Sequence, residues 1–269
     1  MSARRGTGLA RRCTRIVTVT MVGIVAITGG LLAQPAAALT PTENFTTAVY
    51  QDFILRDPTS SELTWWSAYI GGGGTRSGML TSILNDNEFA TLWAYGVRLY
   101  YLETVDTDDP TLPTDIANLQ TSNDFVAAEV SVLAGSEFFT DAGATNTGFV
   151  EGVYDEVLLR ASDAPGLAYW VGQLDLGLKT RSQVARSFIR TTEAASRRVA
   201  GLSAAVSCPA TSLEDVVDLS AGSYCIVLDR MADAPGASYW SSFLTGSSSQ
   251  MSSLWTSLAA SAEYYTNAQ

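Results

Sequence analysis

The chain has 269 residues, of which 46% are hydrophobic, and its formal net charge is −11 with no histidine in the sequence. The absence of histidine excludes imidazole zinc sites and the Ser–His and Cys–His pairs of nucleophilic enzymes. A chain of this length allows one to three domains. An acidic surface repels nucleic acid and anionic membranes at long range, so we expect no nucleic-acid binding.

Residues 1–38 are arranged like a secretory signal peptide. Five arginines and no acidic residue precede an apolar run over residues 16–32, and Ala36, Ala37 and Ala38 supply the small side chains of an A-x-A cleavage site. We predict cleavage after Ala38 and a secreted protein, extracellular or associated with the cell surface, without a membrane span. A retained anchor is the alternative, since about 17 apolar residues is the lower limit for spanning a bilayer.

Removal of the signal peptide would increase the acidic character. Because 5 of the 16 basic residues and none of the 27 acidic residues precede residue 39, the mature chain keeps 11 basic residues and a net charge of about −16. It also keeps two cysteines, Cys208 and Cys225. An even number of cysteines in an oxidising compartment predicts one disulfide, with two free thiols as the alternative.

An eleven-residue motif occurs twice, 70 residues apart. The sequence RASDAPGLAYW at residues 160–170 returns as RMADAPGASYW at residues 230–240. The shared positions include Arg160, Asp163, Gly166, Tyr169 and Trp170 in one copy and Arg230, Asp233, Gly236, Tyr239 and Trp240 in the other. An earlier, diverged copy keeps Arg56 and Trp66 ten residues apart. Such self-similarity predicts an architecture of repeats.

More distant residues extend the motif into units of 50 to 70 residues. A tyrosine stands six residues before each arginine, and a glutamate follows each tryptophan by 22 or 23 residues: Glu88, Glu193 and Glu263. The predicted units are a first at residues 39–92, a second at 93–145, a third at 146–200 and a fourth at 201–269. The second is degenerate, because Tyr100 and Glu137 fit the pattern but Asp106 replaces the arginine and Ile116 the tryptophan.

Each unit is predicted to contain three helices, packed side by side with those of its neighbours, which makes the protein all-α. In the third unit, residues 149–158 have one apolar face, a second helix starts at the Asp-Ala-Pro-Gly loop, and Thr180 with Gln183 predicts a capping box for the third. Thr75 and Asp124 stand at the matching position in the first and second units. No stretch has the strict alternation of a strand.

The repeated motif is interpreted as a joint between two helices. Arg160 stands near the end of the first helix and is expected to bond its free carbonyls, while Asp163 caps the second helix. Gly166 permits close backbone approach, and Tyr169 with Trp170 forms an apolar anchor. A ligand-binding loop is the alternative interpretation.

The first unit favours the joint over a ligand loop. Thr59 and Glu62 stand where the third unit has Asp163 and Gly166, so a metal or sugar site would lose a ligand there. The glycines at residues 71–74 are predicted to form a loosened turn between helices, because they lack the Gly-Lys-Ser/Thr ending of a phosphate loop.

No catalytic, cofactor-binding or metal-binding residue is predicted. Calcium at Asp106, Asp108 and Asp109, with Asp115 nearby, is the alternative to a solvated loop, although the segment lacks the glycine turn and closing glutamate of an EF-hand. Glutamates that recur at one repeat position favour a structural role, since a catalytic pair would be expected once. Surface tyrosines and tryptophans could stack on sugar rings, but at this spacing we expect most of them in the core.

The units resemble a known family. The pattern is Phe, then Tyr, then Leu-x-Arg-x-x-Asp-x-x-Gly-x-x-Tyr-Trp, followed by Ser/Thr-Arg-x-x-Val and a closing Ser/Thr-x-Glu. It is similar to the domain of unknown function DUF4214, closely over residues 149–195 and fairly over residues 45–90 and 219–265. The resemblance implies a helical module of secreted bacterial proteins, often in tandem or beside other extracellular modules. It brings no settled activity and no catalytic residue.

These observations favour a secreted, non-enzymatic protein of helical repeats. We expect an extracellular or cell-surface interaction module, for adhesion or a similar role, that binds a protein or an envelope polysaccharide. The alternative is a hydrolase of cell-wall glycan that uses a pair of carboxylates. An isolated glutamate in a deep cleft would favour the enzyme, and broad exposed faces would favour the module.

Overall fold

The computed structural model of the protein describes residues 38–104, 106–122, 124–201, 222–245 and 250–269. Within these ranges the chain forms fifteen α-helices and no strand, so the predicted all-α class is confirmed. None of the helices in these ranges has both the length and the apolar composition needed to cross a membrane.

The helices are numbered in chain order. The first seven are α1 (Pro41–Val49), α2 (Ser60–Gly71), α3 (Arg76–Leu84), α4 (Asn87–Leu102), α5 (Leu112–Ser122), α6 (Phe125–Ala134) and α7 (Ser136–Asp141). The others are α8 (Asn146–Leu158), α9 (Ala164–Asp175), α10 (Arg181–Ile189), α11 (Thr192–Ala200), α12 (Ser223–Leu228), α13 (Ala234–Leu244), α14 (Gln250–Ala259) and α15 (Ala262–Asn267). A π-helical turn, Tyr50–Ile54, continues α1.

Side-chain caps fix where several helices begin. At the start of α10, Thr180 accepts a 3.2 Å hydrogen bond from the amide of Gln183, whose side chain accepts one of 2.9 Å from the amide of Thr180. The predicted capping box is therefore present. Thr75 caps α3 over 3.0 Å and Asp124 caps α6 over 2.8 Å, at the positions that the sequence indicated. Such caps satisfy amides that the first helical turn leaves unpaired.

The prediction of three helices in each unit is wrong. The third unit contains four, α8 to α11: the predicted third helix is α10, and an additional helix, α11, follows a turn at Thr191, whose hydroxyl caps it. Glu193 lies in the first turn of α11, and Glu263 lies likewise in the first turn of α15. Glu88 lies in the first turn of α4, which continues through the predicted boundary between residues 92 and 93. The first two units thus share one helix.

The helices do not form an open row, because the first and last units are in contact. Helix α3 packs against α14, and the ring of Phe45 meets that of Tyr264 edge-on, with centroids 5.9 Å apart. The hydroxyl of Tyr264 donates a 2.6 Å hydrogen bond to Asp52 in the π-helical turn. The arrangement is closed at its ends, and this buries faces that an open solenoid would leave to solvent.

Aromatic side chains from distant parts of the sequence meet at the centre of the core. Trp255 of α14 lies between Phe53, Phe89, Trp93 and Phe125, with ring centroids 5.1 to 6.5 Å apart and tilted or edge-on geometry. Aromatic pairs at such separations contribute about 0.5–1.5 kcal/mol each beyond their burial. One hydrophobic core therefore joins the first, second and fourth units.

Candidate functional site

Aspartate side chains cap the two helices that begin within the repeated motif. Asp163 precedes α9, and its carboxylate accepts a 2.8 Å hydrogen bond from the amide of Gly166. Asp233 precedes α13 and accepts one of 3.0 Å from the amide of Gly236. A proline follows in the first turn of each helix. Both aspartates lie where the interpretation as a joint puts them.

The glycine of the motif makes room for a tyrosine hydroxyl. A Cβ atom on Gly166 would lie 2.1 Å from the Oη atom of Tyr154, and one on Gly236 would lie 2.4 Å from the Oη atom of Tyr224. These separations are far below van der Waals contact, so any side chain would displace the tyrosine. The close approach expected of this glycine is therefore to the preceding helix.

The motif arginine binds a glutamate rather than helix carbonyls. Arg160 donates to both carboxylate oxygens of Glu193, over 2.8 and 3.2 Å, and Arg230 pairs with Glu263 in the same bidentate way. The main-chain acceptor of Arg160 is the carbonyl of Ala161, which lies beyond the end of α8. The expectation that this arginine bonds the last carbonyls of its helix is wrong, because the planar guanidinium matches a carboxylate better.

A tyrosine completes each of these arginine–glutamate contacts, which we call clamps. The distances from guanidinium carbon to ring centroid are 5.1 Å for Arg56 over Tyr50, 5.0 Å for Arg160 over Tyr154 and 5.3 Å for Arg230 over Tyr224. Hydrogen bonds from Arg230 lower the pKa of Glu263, so this pair stays charged at neutral pH. The fixed spacing of arginine and glutamate in the sequence indicated the clamp, but the sequence analysis did not predict that the two residues bind each other.

The first unit builds its clamp from a different set of side chains. Arg56 binds Glu88 over 2.7 Å and also Glu62 over 2.8 Å. Glu62 closes a capping box with Thr59, accepting a 2.6 Å hydrogen bond from its amide. Hydrogen bonds from Arg56 lower the pKa of Glu62 to about 2. Threonine and glutamate therefore replace the aspartate and glycine of the third and fourth units, and Glu62 adds a second carboxylate to the clamp of Arg56.

The second unit has lost the clamp. Glu137 accepts a 3.3 Å hydrogen bond from the hydroxyl of Thr104, and the buried arginine nearby, Arg98, instead binds Asp109 over 2.8 Å and Asp115 over 2.9 Å. Arg98 thus engages two of the acids considered for calcium. In the described part of the chain, no three Cys, Asp or Glu side chains are grouped closely enough to hold a metal ion.

Two adjacent aromatic residues of the motif face opposite ways. The second of each pair lies toward the core, since Trp66 is 5% exposed and Trp170 and Trp240 are half-buried. The first points to solvent: Trp65 is 57% exposed, Tyr169 53% and Tyr239 61%. The expectation that Tyr169 and Tyr239 are anchors in the core is wrong, because neighbouring residues lie about 100° apart around a helix.

A buried ion pair outside the motif was missed by sequence reasoning. Arg198 of α11 binds both carboxylate oxygens of Glu129 in α6, and the hydroxyl of Tyr101 donates a 2.9 Å hydrogen bond to the same carboxylate. All three side chains are buried. Burial raises the pKa of Tyr101 well above its usual value. An arginine and a glutamate 69 residues apart give no periodic signal, so only the packed structure brings them together.

Two predictions fall on residues outside the described ranges. Residues 1–37 of the signal peptide and Cys208 both lie there. The partner cysteine, Cys225, is buried in α12. Signal cleavage and the disulfide therefore stay predictions.

The geometry defines a class, all-α proteins in which clamped joints connect short helices. Comparison with known proteins finds a match to a family for one part of the chain. Residues 130–198 match the family model described as a domain of unknown function, DUF4214. The predicted resemblance is confirmed there, and the matched range contains one full clamp, from Tyr154 through Arg160 to Glu193. No curated protein and no solved structure matches the chain.

Proposed function

We propose that the protein is a secreted, non-enzymatic interaction module that acts outside the cell or on its surface. It binds a protein or an envelope polysaccharide. The observation that carries this proposal is the set of three exposed aromatic side chains at one recurring position, Trp65, Tyr169 and Tyr239. Large aromatic side chains are enriched at binding hot spots, and recurrence at one position in three units distinguishes these rings from scattered surface aromatics.

The recurring glutamates support a module rather than a hydrolase. Glu88, Glu193 and Glu263 each form an ion pair with the arginine of their own clamp. A glycoside hydrolase needs two carboxyl groups that are free to reach a substrate, whereas each of these carboxylates already accepts hydrogen bonds from its arginine. The clamp accounts for each of these carboxylates without a substrate.

Incubation of residues 39–269 with isolated cell walls tests the proposal. After sedimentation, bound protein and released sugar are assayed in the same sample. We expect protein in the pellet and no sugar above the level of walls alone. The triple variant Trp65→Ala, Tyr169→Ala, Tyr239→Ala should stay in the supernatant, while the control Leu176→Ala, Leu178→Ala, also at exposed positions, should sediment.

Two results would contradict the proposal. Release of sugar that depends on the protein would establish the glycan hydrolase. Failure to bind either walls or any envelope protein, with the variants indistinguishable from the wild type, would remove the interaction module.

A further inference from the structure

The glycine-rich turn after α2 and an exposed tryptophan belong to one structure. The ring of Tyr69 fills the space in which side chains at Gly74, in this turn, and at Gly78, in α3, would lie. A Cβ atom on Gly74 would be 2.4 Å from the Cε1 atom of this ring, and one on Gly78 would be 2.2 Å from its hydroxyl. A loosened turn requires no such contact, so these two glycines are explained by the position of Tyr69.

Tyr69 in turn supports Trp65. The two rings are parallel within 5°, with centroids 5.8 Å apart, and Trp66 meets Trp65 edge-on at 4.3 Å. Trp65 is thereby held between two aromatic neighbours while 57% of it remains exposed. A ring fixed before binding loses little conformational entropy when a ligand stacks on it.

The surface beside Trp65 is a shallow depression along the first turns of α2. Its volume is about 530 Å³, and it is lined by Ser60, Ser61, Thr64, Trp65 and Ala68. The lining therefore combines one aromatic ring with three hydroxyl groups and contains no charged side chain. In a protein with a net charge of −11, such a neutral surface favours an uncharged ligand.

We propose that this depression binds an uncharged, β-linked hexose polysaccharide, with one sugar ring stacked on Trp65. The C–H groups of a pyranose form an apolar face that packs on an aromatic ring, while its hydroxyls exchange hydrogen bonds with Ser60, Ser61 and Thr64. Equatorial linkages keep such a chain flat, so it can lie along a helix. This inference rests on the proposed function and specifies its ligand class and site.

The surroundings of Trp65 favour a glycan over a protein partner. In protein interfaces, aromatic hot spots lie at the water-excluded centre of a contact patch that covers about 800 Å² on each partner. Trp65 is instead bordered by Ser60, Ser61 and Thr64, which are all exposed. Hydroxyls beside a single ring suit a ligand that is itself rich in hydroxyls.

The third unit provides an internal control for this site. Tyr169 holds the position of Trp65 and is 53% exposed, but Gln173 stands where the first unit has Tyr69. Ala164 and Pro165 replace the two serines. The same exposed position there has neither the supporting ring nor the hydroxyls.

Calorimetric titration of residues 39–269 with cellohexaose and mannohexaose, two uncharged β-linked hexose oligomers, tests the site. We expect binding that Trp65→Ala weakens roughly tenfold or more, since one stacked ring accounts for about that factor. Trp65→Phe should retain part of the affinity, and Tyr169→Ala should bind like the wild type. Charged polygalacturonate should not bind.

Two glycine variants distinguish the contribution of the Tyr69 ring to binding from a general effect on folding. Gly78→Ala should push the Tyr69 ring out of place and weaken cellohexaose binding, whereas Gly71→Ala, with open space around its Cβ, should leave binding unchanged. Melting temperatures of all variants are measured alongside, so that a loss of binding is read only in folded protein. If Trp65→Ala is not folded, the comparison of Trp65→Phe, Gly78→Ala and Gly71→Ala decides.

Three outcomes overturn the site. Wild-type protein that ignores both hexaoses up to millimolar concentration but sediments with walls would refute this ligand class and leave the proposed function standing. Hexaose binding that Trp65→Ala or Gly78→Ala does not reduce would place the glycan elsewhere. Loss of wall binding on protease treatment of the walls would assign the partner to protein.

Discussion

The chain contains Arg–Glu ion pairs in two contrasting settings. Arg160 and Glu193 form a clamp at the surface, with side chains 39% and 35% exposed, whereas Arg198 and Glu129 are 5% and 2% exposed. Water and salt screen the first pair, so its contribution to stability is small. The second pair is out of water, and each partner there compensates a charge that would otherwise be buried alone.

In this protein, the ion pairs that are visible in the sequence are not the ones that contribute most to stability. The exposed clamps recur, so they are visible in the sequence although each adds little stability. The buried pair occurs once and joins α6 to α11, with Tyr101 bringing in α4. It leaves no pattern in the sequence, yet its loss should cost the most.

Removal of the buried carboxylate should have the largest effect. Glu129→Gln leaves Arg198 charged without its counter-ion, and we expect the free energy of unfolding to fall by about 3–5 kcal/mol. Glu193→Gln, the matched change in an exposed clamp, should cost less than about 1 kcal/mol. Urea denaturation of both variants measures the two losses. Equal losses would contradict the contrast between the two settings.

A pH titration should show a half-buried carboxylate, that of Asp52, acting against the clamps. Burial raises the pKa of Asp52 to about 6, although its hydrogen bond with Tyr264 partly offsets the shift. The folded state therefore takes up a proton more readily than the unfolded chain, whose Asp pKa is about 3.9. Stability from this group should rise by roughly 2 kcal/mol as the pH falls from about 7 to about 4.

The clamps contribute with the opposite sign. The pKa of Glu62 is lowered to about 2, so its contribution is lost as the pH falls below about 4. Melting temperature measured from pH 3 to 8 should pass through a maximum near pH 4 to 5. Asp52→Asn should flatten the rise between pH 7 and 5. An unchanged rise in that variant would show that another group is responsible.

Loss of a cap should have an intermediate effect. Asp163→Ala and Asp233→Ala each remove the acceptor for a first-turn amide, and each should cost about 1 kcal/mol. Ser162→Ala, one residue before the cap, serves as the control and should be neutral. Thermal denaturation measures all three. A variant at Asp163 that melts like the wild type but no longer binds cell walls would revive the ligand loop.

The smallest effect expected is the coupling within one exposed clamp. A double-mutant cycle on Arg160→Ala and Glu193→Ala should give an interaction energy of about 0.2–1 kcal/mol that declines with added salt. Arg160 and Asp163, whose charged atoms are 3.6 Å apart, should couple less strongly. Coupling of several kcal/mol in the first cycle would mean that the clamp is shielded from water in solution.

Much of the joint could be predicted because its parts lie within one short stretch of chain. Asp163 caps α9 through an amide three residues away, and Thr180 forms a capping box over the same distance. Interactions of this range depend on local backbone geometry, which the residue types themselves specify. The partner of Arg160 and the exposure of Tyr169 could not be predicted in this way, because both depend on which side of each helix meets the core.

Periodicity and capping are local properties, so the all-α class, several helix starts and the recurrence of arginine, glutamate and paired aromatics could be predicted from the sequence. Only the tertiary structure decided that α14 returns to α3, that Trp255 fills the centre of the core, and that Arg198 meets Glu129. These contacts join residues far apart in the chain. They depend on how whole helix faces fit together and on the need to pair buried charges, and both of these involve several helices at once.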